Sequence, residues 1–225
     1  MFMKKIALLM LFLCAGFTSM AQIEIGLQVS PTISGNRFVA EDRYHFEKES
    51  NNLRLGVGVI ADYFFAQNYA FSTGLIYRGK GAEISYNYTR ENADGSVEQI
   101  KDKDDLTIQY IELPLTLKLF TNEVAPGTIV YFQVGGSLNT KVAAQVDDKK
   151  VINSEKVIKR FNIFEADVLL GGGAEFQMGQ STKLFAGLTY HRGLTDIDDF
   201  YEERLNDKNI SLKNNGVSLD FGVKF

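Results

Sequence analysis

The sequence predicts an all-β fold, an eight-stranded antiparallel up-and-down transmembrane β-barrel, and three observations carry that reading. Alternation of apolar and polar residues with period two returns eight times along the chain. The links between those stretches run long, short, long, short, long, short, long. One face of each stretch is apolar, while the other carries ionic residues of both signs.

Residues 110–120, YIELPLTLKLF, show the pattern most clearly. Ile111, Leu113, Leu115, Leu117 and Leu119 share one face of an extended strand; Tyr110, Glu112, Pro114, Thr116, Lys118 and Phe120 share the other. A soluble sandwich would bury those leucines and wet the charges, whereas a membrane barrel gives the leucines to lipid and turns the charges inward.

Residues 1–21 read as an export signal that is cleaved after Ala21. Lys4 and Lys5 precede an apolar run from Ile6 to Phe17, and small residues stand where a signal peptidase reads. The run is too short to span a bilayer as a helix. Cleavage would change the formal charge of −4 to −6, because two lysines leave, and would remove Cys14, the one cysteine. Residues 22–225 then form one domain with no disulfide or thiolate chemistry.

In order, the strands are 23–33, 53–65, 69 to about 88, 110–120, 130–139, 164–177, 183–191 and 217–225. Short links fall at 66–68, at the turn containing Pro126 and Gly127, and at 179–182. Long polar links fall at 35–52, 90–105, 145–160 and 194–215. Both ends of the mature chain lie on the short-link side, which in an outer-membrane barrel is the periplasmic side, so the long links become the extracellular loops. An even strand number closes the sheet and leaves no unpaired edge in lipid. Phe64, Phe65, Tyr69, Phe132, Phe176 and Phe225 form one aromatic girdle, and Tyr77, Phe164 and Tyr190 the other.

By parity, fourteen charges face inward: Glu24, Arg54, Asp62, Arg78, Lys80, Glu112, Lys118, Lys141, Glu165, Asp167, Glu175, Lys183, Asp220 and Lys224. Seven are acidic and seven basic, and an eight-stranded lumen is just wide enough for side chains, so they are expected to pair across it and exclude a broad channel.

Other motifs have structural readings. Pro114 marks a bulge or local bend. Gly171, Gly172 and Gly173 lie mid-strand with no following helix, which suits close packing rather than a phosphate cradle. Asp196, Asp198, Asp199, Glu202 and Glu203 read as a solvated acidic loop with no metal spacing. His191 falls on the inner face near the outer rim with Asp196 close in sequence, but no serine stands in a nucleophile setting; His45 lies in a loop.

YIELPLTLKLF, followed by YFQVGGSL, VLLGGGAEF, AGLTYHRGLTDI and a terminal strand ending in Phe225, resembles the PorT-like outer-membrane β-barrel family of Bacteroidetes. The motif Tyr110, Glu112, Leu113, Pro114 is its most specific part. The resemblance implies an eight-stranded barrel in the cell outer membrane; the founding member is an accessory of a secretion and gliding apparatus. The expected function is therefore a structural or interaction barrel acting through its outer loops. The alternatives are a narrow pore or small-ligand carrier, a lipid-modifying enzyme that would depend on His191, and a soluble ligand-binding barrel with its apolar face inside. Expected partners are outer-membrane lipid, the barrel-assembly machinery, with Phe225 as the C-terminal insertion signal, and proteins at the loops. A monomer is expected, with no cofactor, metal, catalytic residue or nucleic acid.

Overall fold

The computed structural model describes residues 22–39, 47–92, 95–152, 154–198, 200–205 and 207–225. The expected leader lies outside them, as do His45 and Asp199 and the side chain of Glu203. The strands are β1 (Gln22–Val39), β2 (Glu47–Ala66), β3 (Tyr69–Lys80), β4 (Ala82–Glu91), β5 (Val97–Phe120), β6 (Thr128–Val146), β7 (Val151–Ile152), β8 (Glu155–Lys156), β9 (Phe164–Gln177), β10 (Lys183–Gly193) and β11 (Ser211–Lys224). A 3-10 turn (Val157–Arg160) and one short helix, α1 (Phe200–Leu205), lie in the long links.

The ladders are antiparallel and run β1-β11-β10-β9-β6-β5-β3-β2, with a further β1–β2 ladder that returns to the start. The result is a ring of eight strands, with β4 extending β3. Closure leaves the ring without an edge, so main-chain polar groups are satisfied between neighbours. At the seam, the Phe225 amide donates to the Ile25 carbonyl at 2.9 Å.

The alternation decides which way each side chain points. Ile23, Ile25, Leu27, Val29 and Ile33 of β1 face outward and exposed, as do Leu53 and Leu55 of β2 and Leu113 and Leu115 of β5. From Ile23 to Ile33 these cover about 33 Å of strand at about 3.3 Å per residue, or about 25 Å of height at a tilt near 40°. That is the height of a hydrocarbon core, and water would not tolerate such a face. Phe65, Tyr69, Phe132, Phe176 and Phe225 stand outward toward the short-link end, with Tyr77, Phe164 and Tyr190 outward toward the other. Phe64 departs from the expected girdle. Phe64 keeps the inward parity of Asp62, pairs in register with the buried Ala70 and stacks on Phe120 with ring centroids 5.1 Å apart; the ladder shifts only beyond it, before Ala66.

The long links are shorter than the sequence suggests, because strands continue into them. Most of the segment expected as a loop at 90–105 is strand: β4 and β5 form a hairpin from Glu83–Asp105 to Glu91–Val97. Polar composition suggested loops, but a strand that has left the hydrocarbon turns its outer face to water and so becomes polar there. The third strand does continue, but breaks at Gly81, whose φ is +116° and where a Cβ would lie 2.1 Å from the Leu106 carbonyl oxygen.

Pro114 causes no bulge. Its register with Ser137 of β6 is regular, and the ladder between β3 and β5 simply lapses opposite it, resuming in the same register at Ile76–Glu112. The missing amide proton accounts for the gap. The irregularity on this strand lies instead at Gln109–Tyr110.

Candidate functional site

The inward residues build two chemically different layers. The first is a buried ionic network through the height of the apolar belt. The second is a hydrophobic core above it, between the extended strands and the outer links.

Near the short-link end, Lys224 donates to Asp62 at 2.5 Å and to Glu175, while Lys118 reaches both oxygens of Asp62 at 3.1 and 3.0 Å. Lys183 meets Glu24 at 2.5 Å. Aromatic rings pack among these ammonium groups, with Lys118 5.2 Å from the Tyr131 centroid and Lys224 5.6 Å from that of Phe120. Gly187 makes room for Tyr131, since a Cβ there would lie 2.4 Å from the tyrosine oxygen.

At mid-height Arg78 donates to Glu112 at 2.7 Å and to Thr32 at 2.8 Å. Asp220 meets no ammonium among the described residues: Ser30 and Thr189 donate to it at 2.7 and 2.5 Å and Gln28 at 3.3 Å. Higher up, Lys80 bridges Asp167 at 2.5 Å and Glu165 at 3.4 Å, and Asn139 and Asn214 complete those carboxylates.

Two of the fourteen charges expected in the lumen serve elsewhere. Arg54 pairs with Asp105 at the outer end, 3.4 Å away. Lys141 meets no carboxylate among the described residues and instead donates to the carbonyls of Ile158 and Phe161. The end of a ladder explains it: β9 pairs with β6 only as far as Thr140–Phe164, so Lys141 stands beside the 3-10 turn and the segment that follows it and bonds their carbonyls, with its own amide donating to the Ile163 carbonyl at 2.8 Å.

His191 is buried with Nε2 3.1 Å from Ser218 Oγ. Its Nδ1 has no partner among the described residues, and Asp196, its neighbour in sequence, accepts the Asp198 and Leu212 amides instead. A histidine–serine pair without an orienting third group lacks the geometry of an activated nucleophile. The space beside it, lined by Gln28, Arg78, Glu112, Gln133, Thr189 and Asp220 among others, holds about 40 Å³. A second space under Asn214 holds about 10 Å³. These volumes suit about three waters and one.

Above this layer the inward face changes character. Ile84 and Tyr86 of β4, Leu106, Ile108 and Tyr110 of β5, Ala144 and Val146 of β6, and Ile210 and Leu212 by β11 form a buried cluster with Val157, Phe161, Ile197 and Tyr201 of the outer links. Arg160 ties the links down. It donates to Asp198 at 2.8 Å and Asp104 at 3.3 Å and stacks 3.9 Å from the Phe200 centroid, while Tyr201 donates to Asp104 at 2.7 Å. Asp198 also accepts the Phe200 amide at 2.6 Å, capping α1.

This overturns the solvated acidic loop expected around Asp196: Asp198 is buried on a guanidinium. Burial pushes its carboxyl up to about 6, against the lowering influence of Arg160 and the Phe200 amide. For Arg160, burial works against the charge, but Tyr201, Asp198 and Asp104 hold its pKa above the ordinary value. Sequence reasoning missed this core. Its signal is present nonetheless, as a reversal of which alternate positions are apolar: in β5 the even positions are Leu106, Ile108 and Tyr110, then Glu112, Thr116 and Lys118.

A closed ring of antiparallel strands with an apolar exterior and an ionic interior defines a transmembrane β-barrel. Residues 18–199 match the family model described as outer membrane protein beta-barrel domain, and the chain belongs to that family. It is thus an outer-membrane protein. None of the curated proteins compared with the sequence matches it. Among solved structures it is similar to Neisserial surface protein A (NspA), at 12% identity over 92% of this chain and 98% of that one with a TM-score of 0.49. It is also similar to the outer membrane protein OprG from Pseudomonas aeruginosa, at 11% identity over 89% and 95% with a TM-score of 0.44. Ail, the attachment invasion locus protein of Yersinia pestis, in complex with the heparin analogue sucrose octasulfate, aligns at 12% identity over 91% and 99% with a TM-score of 0.40.

Proposed function

We propose that the protein is a non-conducting, non-catalytic barrel of the outer membrane that acts through its outer surface. Residues 1–21 are removed on export, the short links face the periplasm, the long links face outward, and one chain is the working unit. Lipid surrounds it, and the assembly machinery inserts it. The observation that carries the reading is the hydrophobic core across the outer mouth. A water path would have to cross Ile108, Tyr110, Ile197, Tyr201 and Leu212, all fully buried, after threading the ion pairs below. What remains on the outside is a rigid platform of extended strands and tied-down links, suited to holding a partner protein. The resemblance to the PorT-like family supports an accessory of secretion as the class of partner.

Purified protein in a planar bilayer tests the reading. Silence is expected, together with partners recovered by crosslinking through the β4–β5 hairpin in native membranes. Steady ion current from the unmodified protein would overturn it in favour of a narrow pore.

A further inference from the structure

Three cations stand together on the outer wall of the barrel, just above the apolar belt. Arg37 of β1 is the register partner of Lys213 of β11, and Arg192 of β10 is the partner of Asn215, one outward position below Lys213. The three occupy neighbouring strands, about 4.8 Å apart. Their outward positions follow from alternation: Asn36 and Asn214, adjacent to two of them, bond each other inside the barrel. Arg37 reaches along the wall to the Gly193 carbonyl at 3.4 Å, beside Arg192.

No carboxylate lies within 4 Å of any of the three among the described residues, and Arg37 Nε is buried without a partner. Among the described residues, the two arginines packed inside the barrel and its cap, Arg78 and Arg160, each meet an acid. Like charges gathered on three strands with no carboxylate beside them among the described residues favour an anion supplied from outside. Below them the outward positions pass from Gly35 and Asn215 to Ile33, Val217 and Tyr190, and beside them stand the exposed Phe164 and Leu194. The cluster therefore sits where acyl chains give way to headgroups, and long cationic side chains reach the phosphate level from an apolar wall.

We infer that Arg37, Arg192 and Lys213 form a binding site for the phosphate headgroup of an anionic outer-leaflet lipid. Guanidinium forks match phosphate oxygens in pairs, and the lysine adds a point charge. The inference rests on the proposed orientation, with the long links outside. The bound lipid would give the barrel a fixed lipid neighbour on its β1, β10 and β11 side.

Detergent-solubilised protein titrated with bisphosphorylated lipid A, read as adducts by native mass spectrometry, is the test. Each cation near an anionic lipid surface is worth about fivefold in partition, so R37Q/R192Q/K213Q should weaken the adduct about a hundredfold. K149Q/K150Q, in an exposed link elsewhere, should leave it unchanged, and inorganic phosphate should not displace the lipid. Phosphatidylcholine should form no comparable adduct with either protein. Heat-modifiable migration reports whether the triple variant folds; R192Q alone, at an exposed position, should still lose about fivefold. Equal lipid A binding by wild type and variants would overturn the site, and displacement by inorganic phosphate would reduce it to a free-anion site and overturn the lipid assignment. Orientation is tested separately, by labelling K149C on intact cells with an impermeant maleimide. Absence of label would overturn the orientation whatever the adducts show.

Discussion

Replacing Glu112 by alanine removes the carboxylate that neutralises Arg78 at mid-height in the lumen. Arg78 is 2% exposed and Glu112 1%, and they meet at 2.7 Å. After the substitution the guanidinium keeps its bond to the Thr32 hydroxyl at 2.8 Å but has no anion of its own. It is anchored on β3 between β2 and β5 and cannot swing to water, because the ionic layer lies below it and the packed core above. Breaking one partner of a buried pair costs about 3 to 5 kcal/mol, mostly from the charge left behind. Removing both, as E112A/R78M, takes away the stranded charge and should recover most of that loss. The assay is guanidinium unfolding in detergent micelles, followed by tryptophan-free probes such as far-UV dichroism and by heat-modifiable gel migration. Expected is a lower midpoint for E112A and a double variant close to wild type. An unchanged midpoint for E112A would show that the lumen is wet enough to solvate Arg78, and the filled-lumen reasoning would fall with it.

Other substitutions probe the remaining layers. Asp198 in the cap has its carboxyl raised from about 4 to about 6. The folded cap therefore holds that proton more tightly than the unfolded chain, its contribution is complete below about pH 4, and it is lost as pH rises through about 6. Protection factors in α1, with the intrinsic base-catalysed rate divided out, should accordingly fall between those values and level off above, and D198N should abolish the fall. R160M strands Asp104 and Asp198 together, so exchange across residues 157–161 and 197–205 should rise at neutral pH while that of the lipid-facing strands stays as it was. G187A pushes a methyl into the Tyr131 hydroxyl, which should cost about 1 to 3 kcal/mol; Y131F in the same chain should recover part of it in the same unfolding assay.

Much of the ring was legible because lipid imposes a simple rule. On β5, Ile111, Leu113 and Leu115 had to face one way and Glu112, Thr116 and Lys118 the other, and every strand crossing the same slab obeys the same parity. Individual pairings inside the lumen were less legible. Parity places Lys141 inward beside Asn139, but the β9 ladder ends one residue earlier, so the ammonium meets the main-chain carbonyls of the segment that precedes β9. Asp220 likewise reads as an ion-pair partner, whereas the two neighbouring strands, β1 and β10, supply it with hydroxyls and an amide. Such choices depend on which strands become neighbours at a given height, which alternation alone does not encode.

The cap went unread because its residues were judged by average polarity rather than by phase. In β5 the odd positions Asp105, Thr107 and Gln109 are polar and the even ones apolar; from Ile111 onward the assignment is exchanged with no bulge in the strand's ladder to β3. The same exchange occurs at Gly81, where outward Tyr77 and inward Lys80 give way to outward Glu83 and inward Ile84, and in β11, where inward Leu212 gives way to inward Asn214 and Ser218. A strand whose two faces trade roles without turning over must be passing from one solvent into another, with hydrocarbon outside on one side of the boundary and water outside on the other. Two of these points fall on neighbouring parts of the wall, between β3 and β4 and in β5, and the third falls in β11, the strand that carries Lys213. The phase reversal in the sequence therefore locates the membrane surface, and it explains why a core built like that of a water-soluble protein sits directly on a lumen built of ion pairs.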